Sequence, residues 1–96
     1  HDLKIGYSYI LSNKNKTVLY VGATGNLKSR VELHMLGKAT KFTKMYNVNE
    51  LMYFEKHDEY HDAFVREKQI KNWRSEWKWN LIKLHNPELK NLYLEL

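Results

Sequence analysis

The chain has 96 residues, 43% hydrophobic and 14% aromatic, enough for one compact domain spanning residues 1–96 and too few for two cores. It has no cysteine, which excludes disulfides and thiolate zinc sites, and no apolar run near the ~18 residues that a membrane helix needs. Sixteen Lys and Arg against eleven Asp and Glu leave a net charge of +5, which either favours a polyanionic partner through counterion release or serves solubility alone.

The polar start His1-Asp2-Leu3-Lys4 carries no apolar signal core, so the chain is expected in the cytoplasm. From Ile5 to Asn13 and from Thr17 to Ala23, β-branched and aromatic residues flank the polar run Asn13-Lys14-Asn15-Lys16, which predicts a hairpin. An even loop, either Lys14-Asn15 or Asn13 to Lys16, pairs Ser12 with Thr17 and therefore Tyr9 with Tyr20 on one face. An odd loop breaks that pairing. Gly22 removes a side chain where the second strand turns, and Asn26 can cap a helix whose apolar residues Leu27, Val31 and Met35 recur every four positions. Gly37 suits its C-terminal end. Arg30 and His34 are also four apart, on a face distinct from that stripe and close to the strand that carries Tyr20.

The basic segment Lys38 to Asn47 predicts an irregular connection with at most a short helical turn, and Leu51 to Glu55 a third strand. Asp58 can cap a long helix through Trp73, and Ser75 a further helix that Asn86-Pro87 closes. The tail from Glu88 is ambiguous. The fold class is therefore α+β, with three strands and several helices.

On the helix after Asp58, Tyr60, Ala63, Phe64 and Ile70 form the apolar stripe, and Glu67 falls in its middle. A carboxylate drawn toward an apolar face needs a cation or several donors. Glu67 therefore either pairs with a neighbouring Lys or Arg, or serves a hard divalent cation whose other ligands are water and phosphate. Lys71, Arg74 and Lys78 continue the spacing as a basic stripe or an ordinary solvated face. Taken singly, paired tyrosines are core, Arg30 is a surface residue, and His34 is a satisfied or solvated imidazole. Together they place several polar features at one end of one sheet.

The ordered set Tyr7-Ser8-Tyr9, Tyr20-Val21-Gly22, Arg30 with His34, the acid in Arg66-Glu67-Lys68-Gln69, and Asn86-Pro87 resembles the GIY-YIG nuclease superfamily. The likeness is to its short, single-domain bacterial members, related to the nuclease domain of the excision-repair protein UvrC. It extends from about Ile5 to about Asn86. It implies a three-stranded antiparallel sheet flanked by helices and a metal-dependent endonuclease acting on DNA, in repair or recombination. Carried over by position, Tyr9 and Tyr20 are the motif tyrosines, Arg30 contacts the scissile phosphate, His34 is accessory, Glu67 binds Mg2+ or Mn2+, and Asn86 matches a late asparagine. Tyr-Ser-Tyr stands where the family name has Gly-Ile-Tyr, and Val21 replaces an Ile; neither change removes a reactive group.

That resemblance also implies a mechanism in which Tyr9, with its phenol pKa lowered by a nearby cation, takes the proton of the attacking water. Lys38, Lys41, Lys44, Lys71, Arg74 and Lys78 would follow the nucleic-acid backbone. A partner protein could supply substrate targeting. The alternatives are a nucleic-acid-binding module that keeps the fold without catalysis, and a protein-interaction domain anchored by Trp73, Trp77 and Trp79.

Overall fold

A computed structural model describes residues 4–96; the first three residues of the polar start lie outside it. Strands β1 (Gly6–Ser12), β2 (Leu19–Thr24) and β3 (Glu50–His57) form an antiparallel sheet in the order β2-β1-β3. Helices α1 (Leu27–Met35) and α2 (Lys41–Met45) connect β2 to β3, and α3 (Tyr60–Lys71) and α4 (Ser75–His85) follow. A 3-10 turn, Leu92–Glu95, ends the chain. The expected α+β architecture is present.

The hairpin register differs from the one expected. Ser12 faces Leu19, so Tyr9 lies opposite Gly22 and Tyr20 opposite Leu11. The loop runs from Asn13 to Val18 because Asn13 closes it: its Oδ1 accepts from the backbone N–H of Thr17 at 2.8 Å and of Val18 at 3.1 Å. Lys16 takes the left-handed conformation, φ 60°, that the turn requires. A slip of two residues keeps every side chain on its expected face. Tyr9 and Tyr20 therefore remain neighbours on one face, but diagonally.

Gly22 is accordingly not a turn residue. It sits inside β2 under the ring of Tyr9, and a Cβ there would lie 2.5 Å from Tyr9 Cζ. Gly22→Ala should destabilise the fold by about 2 kcal/mol, as overpacking does, and lower the urea midpoint accordingly.

The two faces of the sheet carry separate clusters. Tyr9, Leu11, Leu27, Val31, Val48 and Leu51 pack on the α1 side; Ile10, Val21, Met52, Ile70 and Ile82 pack on the α3 and α4 side. Helix α1 starts at Asn26, whose side chain accepts from Ser29 N–H at 3.2 Å. It ends with Gly37 at φ +71°, where Lys38 N–H bonds Leu33 O and Gly37 N–H bonds His34 O, the paired bonds of a Schellman cap. In place of Met35, which is exposed, His34 is buried beside Leu27 and Val31. Asp58 does not cap α3; Glu59 occupies that position without a side-chain bond, and Arg74 rather than Ser75 precedes α4. Helix α3 stops at Lys71, so the spacing of Lys71, Arg74 and Lys78 is not carried along one helix.

Between Ile10 and Leu11 the pairing with β3 shifts, leaving Met52 as an extra residue whose carbonyl lacks its ladder partner. Asn86, at the end of α4, supplies the partner: its Nδ2 donates to Met52 O at 3.0 Å and to Lys90 O at 2.9 Å, while its Oδ1 accepts from Lys90 N–H. The tail is anchored too. Asn91 accepts from Leu51 N–H, and Tyr93 Oη donates to Glu32 at 2.6 Å.

Candidate active site

Tyr9 enters the site from the central strand, and its ring crosses the space that Gly22 leaves open. Its hydroxyl is 3.1 Å from Nε2 of His34, and Nδ1 of His34 is 3.1 Å from Oγ1 of Thr43. Thr43 is itself tied to Thr40, the N-cap of α2, through Thr40 Oγ1 at 2.8 Å and Thr40 O at 3.3 Å. When Thr43 donates to a Thr40 oxygen, its own oxygen receives Nδ1–H, and His34 Nε2 is left to accept the Tyr9 proton. A buried chain thus runs from Tyr9 through His34 to α2. Thr43 was not visible as a site residue in the sequence, where only its spacing from the capping Thr40 hinted at order.

Burial sets the protonation of this chain. Burial is the largest influence on Tyr9 and pushes its phenol up to about 12, against the opposing pull of Arg30; the charges of Tyr20 and Glu67 add to the rise. The expected lowering of the Tyr9 pKa is therefore overturned: the phenol is 1% exposed, and one neighbouring cation does not offset its desolvation. Burial, followed by the positive charge of Arg30, pushes His34 down to about 4. His34 is neutral at physiological pH and only 2% exposed, and it stands behind the Tyr9 hydroxyl.

The depressed His34 has a measurable consequence. Between its ordinary value of about 6.5 and about 4, the unfolded chain binds a proton that the folded chain refuses. The associated stability is intact above that window and is lost as the pH falls through it, by on the order of 3 kcal/mol. Denaturant unfolding between neutral pH and about pH 4 should show this loss, and His34→Gln should remove that part of the pH dependence.

Arg30 faces both tyrosine hydroxyls from the second turn of α1. Its guanidinium is held more firmly protonated, first through the Tyr9 hydroxyl and more weakly through Tyr20, against some desolvation. Tyr9 thus has His34 at 3.1 Å on one side of its hydroxyl and Arg30 on the other, and Arg30 acts on it first through the hydroxyl and then as a nearby charge. Tyr20 is partly exposed, and its ring lies 5.3 Å from that of His34.

Glu67 is buried on α3 as its place in the stripe required, with 7% exposure. Tyr60 and Phe64, expected in the same stripe, are exposed instead. Glu67 Oε1 is 3.1 Å from Nζ of Lys71, one helical turn on, and Lys71 also lies 5.8 Å from the centre of the Tyr20 ring. Helices α1 and α3 cover opposite faces, so Glu67 and Lys71 meet the tyrosines at the open edge of β2. The pairing expected for Glu67 is present, with a lysine that also lies beside Tyr20.

A single hard carboxylate suits Mg2+ or Mn2+, which bind through one or two carboxylates and otherwise keep water and phosphate oxygens. Among the described residues no three His, Cys, Asp or Glu converge to hold a metal ion by protein ligands alone. Glu55 differs from Glu67: Arg66, His57 and Tyr53 all bond it, at 3.2, 2.8 and 2.6 Å, which accounts for its carboxylate structurally.

Asn86 is not brought to this cluster. It serves the Met52 bulge on the other face of the sheet and borders a cleft of about 510 Å³ with Tyr53, His85 and Lys90, away from Tyr9 and Arg30. Lys38, Lys41 and Lys44 are exposed on and before α2, Arg74 stacks over Trp77 at 5.5 Å, and Lys78 is partly buried. Of the three tryptophans, Trp73 and Trp79 pack against the core while Trp77 is half-exposed. No helix among the described residues is long and apolar enough to cross a membrane.

The GIY-YIG catalytic domain model matches residues 5–90. The chain is similar to a UPF0213 protein of Pediococcus pentosaceus, 40% identical over 90% of each chain. A UPF0213 protein of Clostridium perfringens is 33% identical over 96% of this chain and 98% of its own, and one of Streptococcus pyogenes 35% identical over 92% and 96%. No solved structure matches. A domain match that takes in both tyrosines, Arg30, His34 and Glu67, with full-length relatives at this identity, means that the chain belongs to the GIY-YIG family of nuclease domains.

Proposed function

We propose that this chain is a metal-dependent endonuclease that hydrolyses phosphodiester bonds in DNA, in repair or recombination. The observation that carries the reading is Arg30, a cation set between two tyrosine hydroxyls at the sheet edge where a buried carboxylate also arrives. Arg30 turns to a non-bridging phosphate oxygen and neutralises charge as it develops. Glu67 would hold Mg2+ or Mn2+, which supplies Lewis-acid stabilisation of the reacting phosphate when bound.

A phenol held near 12 is protonated at neutral pH and is a poor base by itself. Tyr9 acts as a relay: as its oxygen takes a proton from the attacking water, its own proton passes to Nε2 of His34. The new oxygen–phosphorus bond forms, the bond to the leaving 3′ oxygen breaks, and that oxygen is protonated from solvent. Thr43 keeps His34 in the accepting tautomer. An arriving phosphate offsets the charge of Arg30, removing one of the two influences that hold His34 unprotonated. Lys71, tied to Glu67 and close to Tyr20, would meet a neighbouring phosphate.

Incubation of plasmid and branched DNA with Mg2+ or Mn2+ should give cleavage that excess chelator stops. Arg30→Ala should slow it by roughly 10²-fold. Salt-sensitive DNA binding without cleavage by the parent protein would favour the non-catalytic binding module.

A further inference from the structure

Helix α2 and Tyr46, the residue that caps its C-terminal end, present two aromatic side chains that the proposed chemistry does not use. Phe42 and Tyr46, one turn apart, are 43% and 46% exposed, with ring centres 4.9 Å apart. Phe42 also lies 6.2 Å from Tyr20 at an interplanar angle of 31°, so the exposed pair continues outward from the site tyrosine. Between His34 and Glu50 the chain carries Lys38, Lys41 and Lys44 and no acid. An exposed aromatic pair in a segment whose only charged side chains are lysines is unlike a protein-docking patch, which has a mixed polar rim, and fits a polyanion with flat apolar faces.

We propose that Phe42, supported by Tyr46, is a stacking platform for the nucleobase next to the phosphate at Arg30, and that the substrate therefore carries an unpaired nucleotide there. This rests on the nuclease reading for the position of that phosphate, while the stacking itself does not require cleavage. The 6.2 Å from Tyr20 to Phe42 is no more than two base-stacking spacings of ~3.4 Å, which sets the platform one to two nucleotides from the site. Lys41 and Lys44, on the same short helix, hold the backbone on either side of the stacked base. A base within a duplex is covered on both faces and cannot use the platform, whereas a single strand, flap or loop offers a free face.

The test uses a single-stranded DNA oligonucleotide with 2-aminopurine placed at successive positions, with chelator present so that nothing is cut. The full chain should quench the probe at one position. Phe42→Leu, which keeps apolar bulk without the ring, should lose that quench and bind the single strand about tenfold more weakly, with duplex binding changed less. Phe42→Trp should restore both. Equal quenching by the parent and Phe42→Leu, or equal weakening on duplex and single strand, overturns the platform. A Phe42-dependent quench in a protein that cuts no DNA with Mg2+ or Mn2+ supports the platform while refuting the nuclease reading; metal-dependent cleavage without the quench does the reverse.

Discussion

Glu67→Gln should abolish metal-dependent cleavage, with a loss of roughly 10³-fold or more, because a cation worth several kcal/mol to the transition state loses its protein ligand. The substitution keeps the shape of a side chain that is 7% exposed, so the fold should persist. What it removes structurally is the pair with Lys71 at 3.1 Å, whose lysine end is half-exposed and whose net contribution is within about 1 kcal/mol. A stability curve close to that of the parent, beside lost cleavage, separates the two roles. A second readout comes from Tyr9. The charge of Glu67 is one of the influences that raise the phenol, so the Tyr9 titration should move downward in Glu67→Gln, measurable by ultraviolet absorbance. If Glu67→Gln cuts as well as the parent, the carboxylate is a partner for Lys71 and nothing more.

Tyr9→Phe should lower the rate of cleavage by between roughly 10² and 10⁴, the range for loss of a positioned proton-transfer group. The ring that fills the space over Gly22 remains, so the cost to stability should be limited to the bond with His34, about 1 kcal/mol. DNA binding should hardly change, because Arg30 and the lysines remain. In the relay, the hydroxyl is useful only with a neutral acceptor behind it; His34→Gln should therefore reduce the rate in the same direction. Tyr20→Phe is the informative comparison. If it costs more than Tyr9→Phe, the partly exposed Tyr20 hydroxyl receives the water proton and Tyr9 orients the neighbouring Arg30.

The order of strands and helices was legible because the signals are local. Asn26 caps α1 through a side chain three residues from its target, Gly37 closes it at a positive φ, and Asn86-Pro87 ends α4. Glu67 was legible as an anomaly, since a charge in an apolar stripe conflicts with its surroundings whatever those turn out to be. The face shared by Tyr9 and Tyr20 was legible as well, because side-chain alternation survives a two-residue slip.

Their register was not, because it depended on Asn13 bonding the backbone of Thr17 and Val18 and so lengthening the loop. The protonation of the site was not legible either. Proximity to Arg30 argued for an acidic Tyr9, but burial between sheet and helix outweighs that charge and raises it to about 12. Whether His34 was a satisfied or a solvated imidazole stayed open until α2 supplied Thr43 as a partner for its second nitrogen, which let the ring take an interior position. Asn86 matched a motif, yet a bulge in β3, created by pairing across more than thirty positions of chain, gave its amide a structural duty. Sequence by itself determined the order of the elements and on which of them each candidate site residue stands, for those depend on periodicity and capping over a few residues. Tertiary structure decided which of them meet and in what protonation state, because desolvation and hydrogen-bond partners come from segments distant in the chain.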